Sequence, residues 1–132
     1  MIKLNFVLSE LCIFDDDIPM SVADKLIRHI EVIQPIRDKL GVPIMASENS
    51  GYRPVEWELK QGRSGNSEHC FKGLGAVDWS CSKDRAGLIA LLKKSDYKRV
   101  AYYPENGFLH CDFKGDEKVF FLSDSNSNWK RQ

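Results

Sequence analysis

Residues 76–81 read AVDWSC, and this alternation of apolar and polar side chains predicts a β-strand with one buried face. Val77, Trp79 and Cys81 share the apolar face, which we expect to lie against the protein core. Asp78 projects from the opposite face, toward a cleft or solvent. The strand therefore carries a carboxylate that does not contribute to packing of the predicted core.

A second segment shows the same alternation. Residues 108–113 read FLHCDF, so that Leu109 and Cys111 lie on one apolar face of the predicted strand. His110 and Asp112 project together from the opposite face. Cys111 is accordingly expected to be a small buried residue and not a metal ligand.

The rest of the chain favours an α+β fold, with a small antiparallel sheet and helices packed on one side. Apolar residues recur at three- and four-residue spacing over residues 22–40, which predicts an amphipathic helix that begins at a capping box at Ser21. Pro35 is expected to kink or split this helix, because proline lacks the N–H that its turn needs. Turn signals separate the other expected elements, which are helices through Trp57 and over 84–94, strands over 42–46 and 100–103, and a hairpin of 108–113 with 118–122.

The length of 132 residues predicts a single domain spanning residues 1–132. Within it we expect residues 1–20 to form an ordered N-terminal loop. Residues 123–132 are polar and are expected to fray, except that Trp129 has the size and apolar character to dock on the domain. The glycine- and serine-rich residues 62–66 predict a mobile loop.

The overall charge excludes several classes of partner. Nineteen basic and nineteen acidic residues cancel, and the sequence pI is about 6.8, which argues against a nucleic-acid-binding domain and a membrane-surface module. No segment is apolar for the roughly 18–20 residues that a membrane span needs. Residues 1–10 predict no secretory signal peptide, so we expect the four cysteines to be reduced thiols.

Three residues form a candidate metal site. His69, Asp78 and His110 are two imidazoles and a carboxylate, a common three-ligand set of catalytic zinc sites that leaves a fourth position for water. The same set also suits iron. A lone histidine is more often structural, and this is the interpretation we give to His29 on the amphipathic helix.

Four motifs in order resemble a known family. They are SGYR at residues 50–53, SEH at 67–69, GLGAVD at 73–78 and GFLHCD at 107–112. Their order is similar to that in the zinc D-Ala-D-Ala carboxypeptidase and L-Ala-D-Glu endopeptidase family, which includes phage endolysins. The resemblance covers roughly residues 5–113 and implies a zinc-dependent DD-peptidase-like fold.

The resemblance also assigns roles. It implies that His69, Asp78 and His110 hold Zn²⁺ and that Arg53 holds a carboxylate or a carbonyl oxygen of the substrate. Ser67 would support the first histidine and line the substrate cleft. The implied substrate is the stem peptide of peptidoglycan, hydrolysed by water that zinc activates while a carboxylate takes the proton.

This chain departs from the family pattern at two places. His69 and Asp78 are nine positions apart where the family usually has seven, and a loop rich in glycine is expected to absorb the difference. Gly107 stands where many members place a catalytic carboxylate. The nearest replacements are Glu105, which we slightly favour as the base, and Asp112, which instead is suited to orient a ligand.

Two other interpretations stay open at this point. A non-catalytic zinc-containing relative would bind cell-wall peptides or serve as a virion or structural component, and a metal-free interaction domain is the third. For the peptidase interpretation we expect a monomer with no nucleic-acid or membrane partner. We also expect it to stay in the cytoplasm until it is released to the cell wall, as a phage or prophage lysin is.

Overall fold

A computed structural model describes residues 5–12, 18–47 and 50–132. Residues 1–4 and 13–17 of the predicted N-terminal loop lie outside the described residues. The elements in chain order are a 3-10 helix Leu8–Leu11, α1 Met20–Leu40, β1 Met45–Ala46, α2 Val55–Lys60, a 3-10 helix Glu68–Cys70, β2 Ala76–Ser80, α3 Arg85–Lys93, β3 Arg99–Tyr103, β4 Phe108–Asp112, β5 Val119–Ser123 and β6 Trp129–Arg131.

The strands form one sheet in the order β1-β2-β4-β3-β5-β6. All neighbouring strands are antiparallel except β3 and β5, which are parallel. The α+β prediction is confirmed, and the sheet is mixed where the sequence predicted an antiparallel one. Buried side chains of α1, α3 and one sheet face form the core, so helices cover that face.

The predicted hairpin between residues 108–113 and 118–122 is wrong, because β4 and β5 do not pair with each other. Both edges of β4 are already paired, with β2 on one side and β3 on the other. The chain after β4 therefore crosses to the free edge of β3, where β5 pairs in the parallel direction. Alternation along a strand specifies which face is buried but not which strand lies beside it.

Helix α1 is continuous from Met20 to Leu40. Pro19 is its N-cap residue and no side chain caps the helix, so the predicted capping box at Ser21 is wrong. Pro35 does not split the helix, and its ring lies at an exposed position. Gly41 ends the helix in the left-handed conformation, which glycine adopts without steric cost, and its N–H donates to the Arg37 carbonyl.

The predicted alternation on β2 and β4 is confirmed. Val77, Trp79, Leu109 and Cys111 are fully buried in the core. The register pairs Asp78 on β2 directly with His110 on β4, which brings the polar faces of the two strands side by side. Antiparallel pairing thus positions the candidate site.

The C-terminal segment is part of the sheet. Trp129–Arg131 forms β6 and pairs with β5, so the predicted fraying of these residues is wrong. The predicted docking of Trp129 is confirmed, since its indole N–H donates to the Tyr103 hydroxyl at 2.7 Å. None of the helices in the described part of the chain combines the length and the apolar character needed to cross a membrane.

Candidate metal centre

Three buried side chains meet on the polar face of the sheet. His69 lies in the short 3-10 helix, and Asp78 and His110 are cross-strand neighbours on β2 and β4. His69 Nε2 lies 3.2 Å from His110 Nδ1. Asp78 Oδ1 lies 3.3 Å from His69 Nε2 and 3.1 Å from His110 Nδ1. The structure therefore brings together the three metal ligands predicted from the sequence.

These separations fit a tetrahedral metal ion. Ligand atoms at zinc's usual bond length of about 2.0–2.1 Å and at tetrahedral angles lie about 3.3 Å apart. Among the described residues, the buried Asp78 Oδ1 has no hydrogen-bond partner, although both imidazole nitrogens lie near it. A buried polar atom without a partner is costly, and a cation between these three atoms would satisfy it.

The other ring nitrogens of both histidines are engaged, as in most metal-binding histidines. His69 Nδ1 lies 3.0 Å from the Gly51 carbonyl, to which it donates, so its Nε2 is left to face the centre. His110 Nε2 lies 2.7 Å from Asp112 Oδ2, so its Nδ1 faces the centre. The surrounding chain thus selects the tautomers that direct one lone pair of each ring inward.

The electrostatics of the centre are dominated by carboxylates. Burial alone would lower the pKa of His110, but the hydrogen bond to Asp112 and the negative charges of Asp112 and Asp78 outweigh it and raise the pKa to about 9. Burial opposes ionisation of Asp78 as well, yet the charges of His69 and His110 hold its pKa well below the usual range. The centre therefore attracts positive charge, whether a proton or a metal ion supplies it.

Asp112 is the residue that supports His110. Its side chain is buried and accepts a two-pronged hydrogen bond from Arg99, with Arg99 Nη2 at 2.6 Å from Oδ2. The backbone N–H of Lys114 also donates to it. Burial would raise the pKa of Asp112, but the bonds from His110 and Arg99 outweigh it and lower the pKa to about 2. Asp112 is thus a fixed carboxylate behind the ring of His110.

The SGYR segment is tied to β2 and to the first histidine. The hydroxyl of Ser50 donates to the Asp78 carbonyl, and the Asp78 N–H donates to the Ser50 carbonyl. A Cβ on Gly51 would lie 1.9 Å from the Leu11 carbonyl oxygen, so only glycine fits there. Its own carbonyl is the acceptor that orients His69. The motif therefore has a structural role next to the metal centre.

Ser67 supports the same histidine from the other side. It is the N-cap of the 3-10 helix, and its hydroxyl accepts a hydrogen bond from the His69 backbone N–H at 3.1 Å. A loop of residues 71–75 joins this 3-10 helix to β2, in the stretch where the two extra positions before Asp78 are expected. Phe71 there adopts a left-handed conformation, and its ring packs where a Cβ on Gly75 would lie, 2.2 Å away.

Arg53 lies between the metal centre and a buried glutamate. Its Nη2 lies 3.8 Å from Asp78 Oδ2, and its Nη1 lies 3.7 Å from Glu58 Oε1. The guanidinium lies over the Trp57 ring, 6.0 Å from its centroid. Arg53, for which the resemblance implies a substrate-binding role, is therefore held beside the centre.

A cavity of about 480 Å³ opens over the centre. Its lining combines the metal triad with cationic, hydroxyl and aromatic groups, which suits a polar peptide. The lining residues are Arg53, Arg63, Ser67, His69, Asp78, Tyr103, Asn106, Phe108, His110, Ser125, Ser127 and Trp129.

Glu105 and Asp112, the two candidate bases, lie in different surroundings. Glu105 is exposed in the turn between β3 and β4, and it is not among the described residues that line the cavity. Asp112 is buried, and hydrogen bonds from Arg99 and His110 engage its oxygens. The structure thus brings Asp112 to a metal ligand and leaves Glu105 in the turn.

Several residues of the site were missed by sequence reasoning. Glu58, Arg63 and Arg99 are charged residues without a motif, and nothing in their local pattern predicts which partner they meet. Tyr103 and Trp129 come from strands that are distant in sequence. A hydrogen bond joins their side chains, which form one wall of the cavity. The predicted docking of Trp129 was the one signal that pointed to this wall.

Two histidines and one carboxylate that converge under a cavity are a common ligand set of catalytic zinc sites, including those of metallopeptidases. The profile of the Peptidase M15 family matches residues 5–112. The chain therefore belongs to the Peptidase M15 family, whose members are zinc-dependent metallopeptidases. No curated protein matches the chain.

Proposed function

We propose that the protein is a zinc-dependent peptidase that hydrolyses stem-peptide bonds of peptidoglycan, of the D-Ala-D-Ala carboxypeptidase or L-Ala-D-Glu endopeptidase type. The observation that carries the proposal is the buried Asp78 Oδ1, which lacks a hydrogen-bond partner among the described residues and faces one nitrogen of each of His69 and His110. Membership of the Peptidase M15 family supports it independently.

Each side chain of the centre has a distinct part in this function. His69, Asp78 and His110 would hold the zinc ion, which supplies polarisation of the scissile carbonyl and activation of water. Asp112 holds the ring of His110 through a 2.7 Å hydrogen bond. Ser67 fixes the backbone of His69 and lines the cavity beside it.

Arg53 is proposed to bind the substrate. Its planar guanidinium suits a carboxylate or the negative charge that develops on a carbonyl oxygen. Its position 3.8 Å from the Asp78 carboxylate supports this role, because a substrate bound at the metal centre would lie beside this cation. Trp57 and Glu58 hold it from the other side, so little reorientation is needed when a substrate enters.

The proton acceptor stays a prediction. Asp112 already accepts bonds from Arg99 and His110, which favours its role in orienting the histidine over the role of base. Glu105 remains the preferred base, and the turn that carries it would have to fold over the cavity when substrate binds. Replacing Glu105 by Gln should therefore lower kcat while leaving the zinc content unchanged.

The test is hydrolysis of the synthetic stem pentapeptide and of purified peptidoglycan by the zinc-loaded protein, with products identified by mass spectrometry. Loss of one alanine from the pentapeptide indicates a carboxypeptidase, and cleavage between L-Ala and D-Glu indicates an endopeptidase. Asp78→Asn, which keeps the shape of the side chain, is the matched control and should be inactive. Intact substrates with fully zinc-loaded wild type would contradict the proposal.

A second candidate is a non-catalytic relative that binds cell-wall peptides or serves as a virion or structural component. The observation that favours it is Gly107 at the position of the family carboxylate, together with the exposed position of Glu105. Saturable binding of the pentapeptide without any cleavage would support this candidate. Release to the cell wall and a monomeric state belong to the peptidase proposal, and wall-release assays and light scattering test them.

A further inference from the structure

A pair of arginines lies at one side of the cavity. Arg53 and Arg63 both line it, together with the metal triad. Arg53 precedes α2, and Arg63 follows it by three residues, so this short helix lies between them in the chain. The side chain of Arg53 is mostly buried, whereas that of Arg63 is 52% exposed. The pair thus has an inner member beside the metal centre and an outer member nearer to solvent.

One buried glutamate holds both arginines. The Glu58 side chain is completely buried, and its Oε2 accepts a hydrogen bond from Arg63 Nη1 at 2.8 Å. Its Oε1 lies 3.7 Å from Arg53 Nη1. The ring of Trp57, the preceding residue, lies under both guanidinium groups, at 6.0 Å from Arg53 and 5.4 Å from Arg63. Two consecutive residues of α2 therefore fix the position of the pair.

The charges of this cluster balance in number but not in exposure, because Glu58 and Asp78 are buried whereas Arg63 is half exposed. Two guanidinium groups share the single carboxylate of Glu58, and within the described part of the chain its buried Oε1 has no hydrogen-bond partner. Asp78 provides a second negative charge near Arg53 only. Arg63 has five N–H donors and gives one of them to Glu58. The charge exposed on the outer side of the cavity is therefore that of Arg63, whose remaining N–H donors can bind an anion.

We propose that Arg63, oriented by Glu58, binds a carboxylate of the substrate, so that the protein selects peptides with an acidic group besides the group that Arg53 binds. The inference rests on the proposed peptidase function, since it concerns the substrate of the same cavity. A planar guanidinium held on one edge by Glu58 presents its other edge in the geometry that carboxylates match. Arg63 is thus a specificity-determining residue and Glu58 a positioning residue.

The experiment compares three probes on zinc-loaded protein. They are the pentapeptide L-Ala-D-Glu-L-Lys-D-Ala-D-Ala, the same peptide with the D-Glu carboxylate converted to a carboxamide, and the same peptide with a C-terminal carboxamide. Dissociation constants come from calorimetry, and KM and kcat come from product analysis. Wild type should bind one of the two carboxamides about 10- to 100-fold more weakly than the parent, as expected when a charged hydrogen-bonded pair is lost.

Arg63→Gln should lose this discrimination. It should bind the parent peptide as weakly as wild type binds the carboxamide that it disfavours, and where cleavage occurs the KM for the parent peptide should rise by a similar factor. Glu58→Gln should weaken the discrimination in the same direction. Because removing a buried charge can prevent folding, Arg63→Gln at its half-exposed position decides the test if Glu58→Gln does not fold.

Arg28→Gln is the matched control. Arg28 is similarly exposed at 46%, forms a 3.0 Å ion pair with Asp96 and lies over the Phe113 ring at 5.5 Å, but it does not line the cavity. Its replacement removes an equivalent surface cation and should leave the discrimination intact. Equal loss in both variants would overturn the proposal, because a general effect of net charge would then explain it.

The outcomes separate this inference from the proposed function. Equal binding of the three probes by wild type overturns the inference, even if all three are cleaved and the peptidase function stands. Selective binding that Arg63→Gln abolishes supports the inference, even if no probe is cleaved and the catalytic proposal fails. Absence of both binding and cleavage overturns both.

Discussion

Two buried histidines of this protein differ in the groups that surround their rings and in the direction of their pKa shifts. His29 on α1 and His110 on β4 both lie inside the domain, and in both a polar atom lies within 3.2 Å of each ring nitrogen. Burial dominates at His29 and lowers its pKa to about 4, despite the Leu74 carbonyl that acts in the other direction. At His110 two carboxylates overcome the same effect of burial and raise the pKa to about 9.

The partners of each ring explain the difference. The Tyr97 hydroxyl lies 2.7 Å from His29 Nδ1, and the Leu74 carbonyl lies 3.0 Å from Nε2, so one neutral tautomer satisfies both contacts. His110 faces the carboxylates of Asp78 and Asp112. Neutral partners make a histidine structural, whereas carboxylates around a converging lone pair favour a cation. Burial alone therefore does not distinguish a structural histidine from a metal ligand.

The largest effect is expected from exchanging each of these histidines for glutamine. His110→Gln should lose the bound zinc and reduce peptide hydrolysis at least about a thousandfold, because a catalytic metal supplies several kcal/mol of transition-state stabilisation. His29→Gln should keep one zinc per chain. Elemental analysis of both purified variants, with circular dichroism to verify folding, measures this. Zinc loss in both variants, or in neither, would contradict the distinction between His110 as a metal ligand and His29 as a structural residue.

Some features of the fold can be predicted from a short stretch of sequence, whereas others depend on residues that are far apart in the chain. Alternation along β2 and β4 predicted which side chains face the apolar core, because that pattern is a property of one strand. It did not predict that β5 lies parallel to β3, since strand partners depend on chain crossings. Likewise, Trp129 was predicted to dock by its size alone, whereas the pairing of β6 with β5 was not foreseen.

The candidate site shows the same limit. His69, Asp78 and His110 were predicted because each stands in a recognisable motif, and the structure brings all three together. Glu58 and Arg63 stand in no motif, and their 2.8 Å ion pair depends on how α2 and the following loop fold. Motifs therefore predict the candidate metal ligands, whereas the groups that shape the rest of the cavity require the three-dimensional structure.

A second prediction concerns stability against pH. The pKa of His29 is about 4 in the folded protein, below the ordinary value of 6.5 expected after unfolding. Its neutral form therefore stabilises the fold fully above pH 6.5, and this contribution is lost as the pH falls toward 4. The shift corresponds to about 3 kcal/mol of the free energy of unfolding. Urea denaturation of the metal-free protein at several values between pH 7.5 and 4 measures it.

His29→Gln is the control for this pH dependence. Glutamine does not titrate, so the variant should be less stable at pH 7.5 and should lose less stability than wild type down to pH 4. Protonation of carboxylates lowers the stability of both proteins below about pH 4 and cancels in the comparison. Parallel curves for the two proteins would show that His29 is not the group responsible.

The smallest expected effect tests how the second histidine is held. Asp112→Asn keeps the size of the side chain but removes the charge that accepts from His110 Nε2 and Arg99. Zinc affinity should fall about 10- to 100-fold, the usual cost of losing a hydrogen-bonded carboxylate behind a metal-bound histidine. Competition with a chelating dye measures it, and Asp38→Asn, an exposed carboxylate on α1, is the control. Because Asp112 and Asp78 together set His110 apart from His29, unchanged affinity would mean that Asp78 alone accounts for the difference.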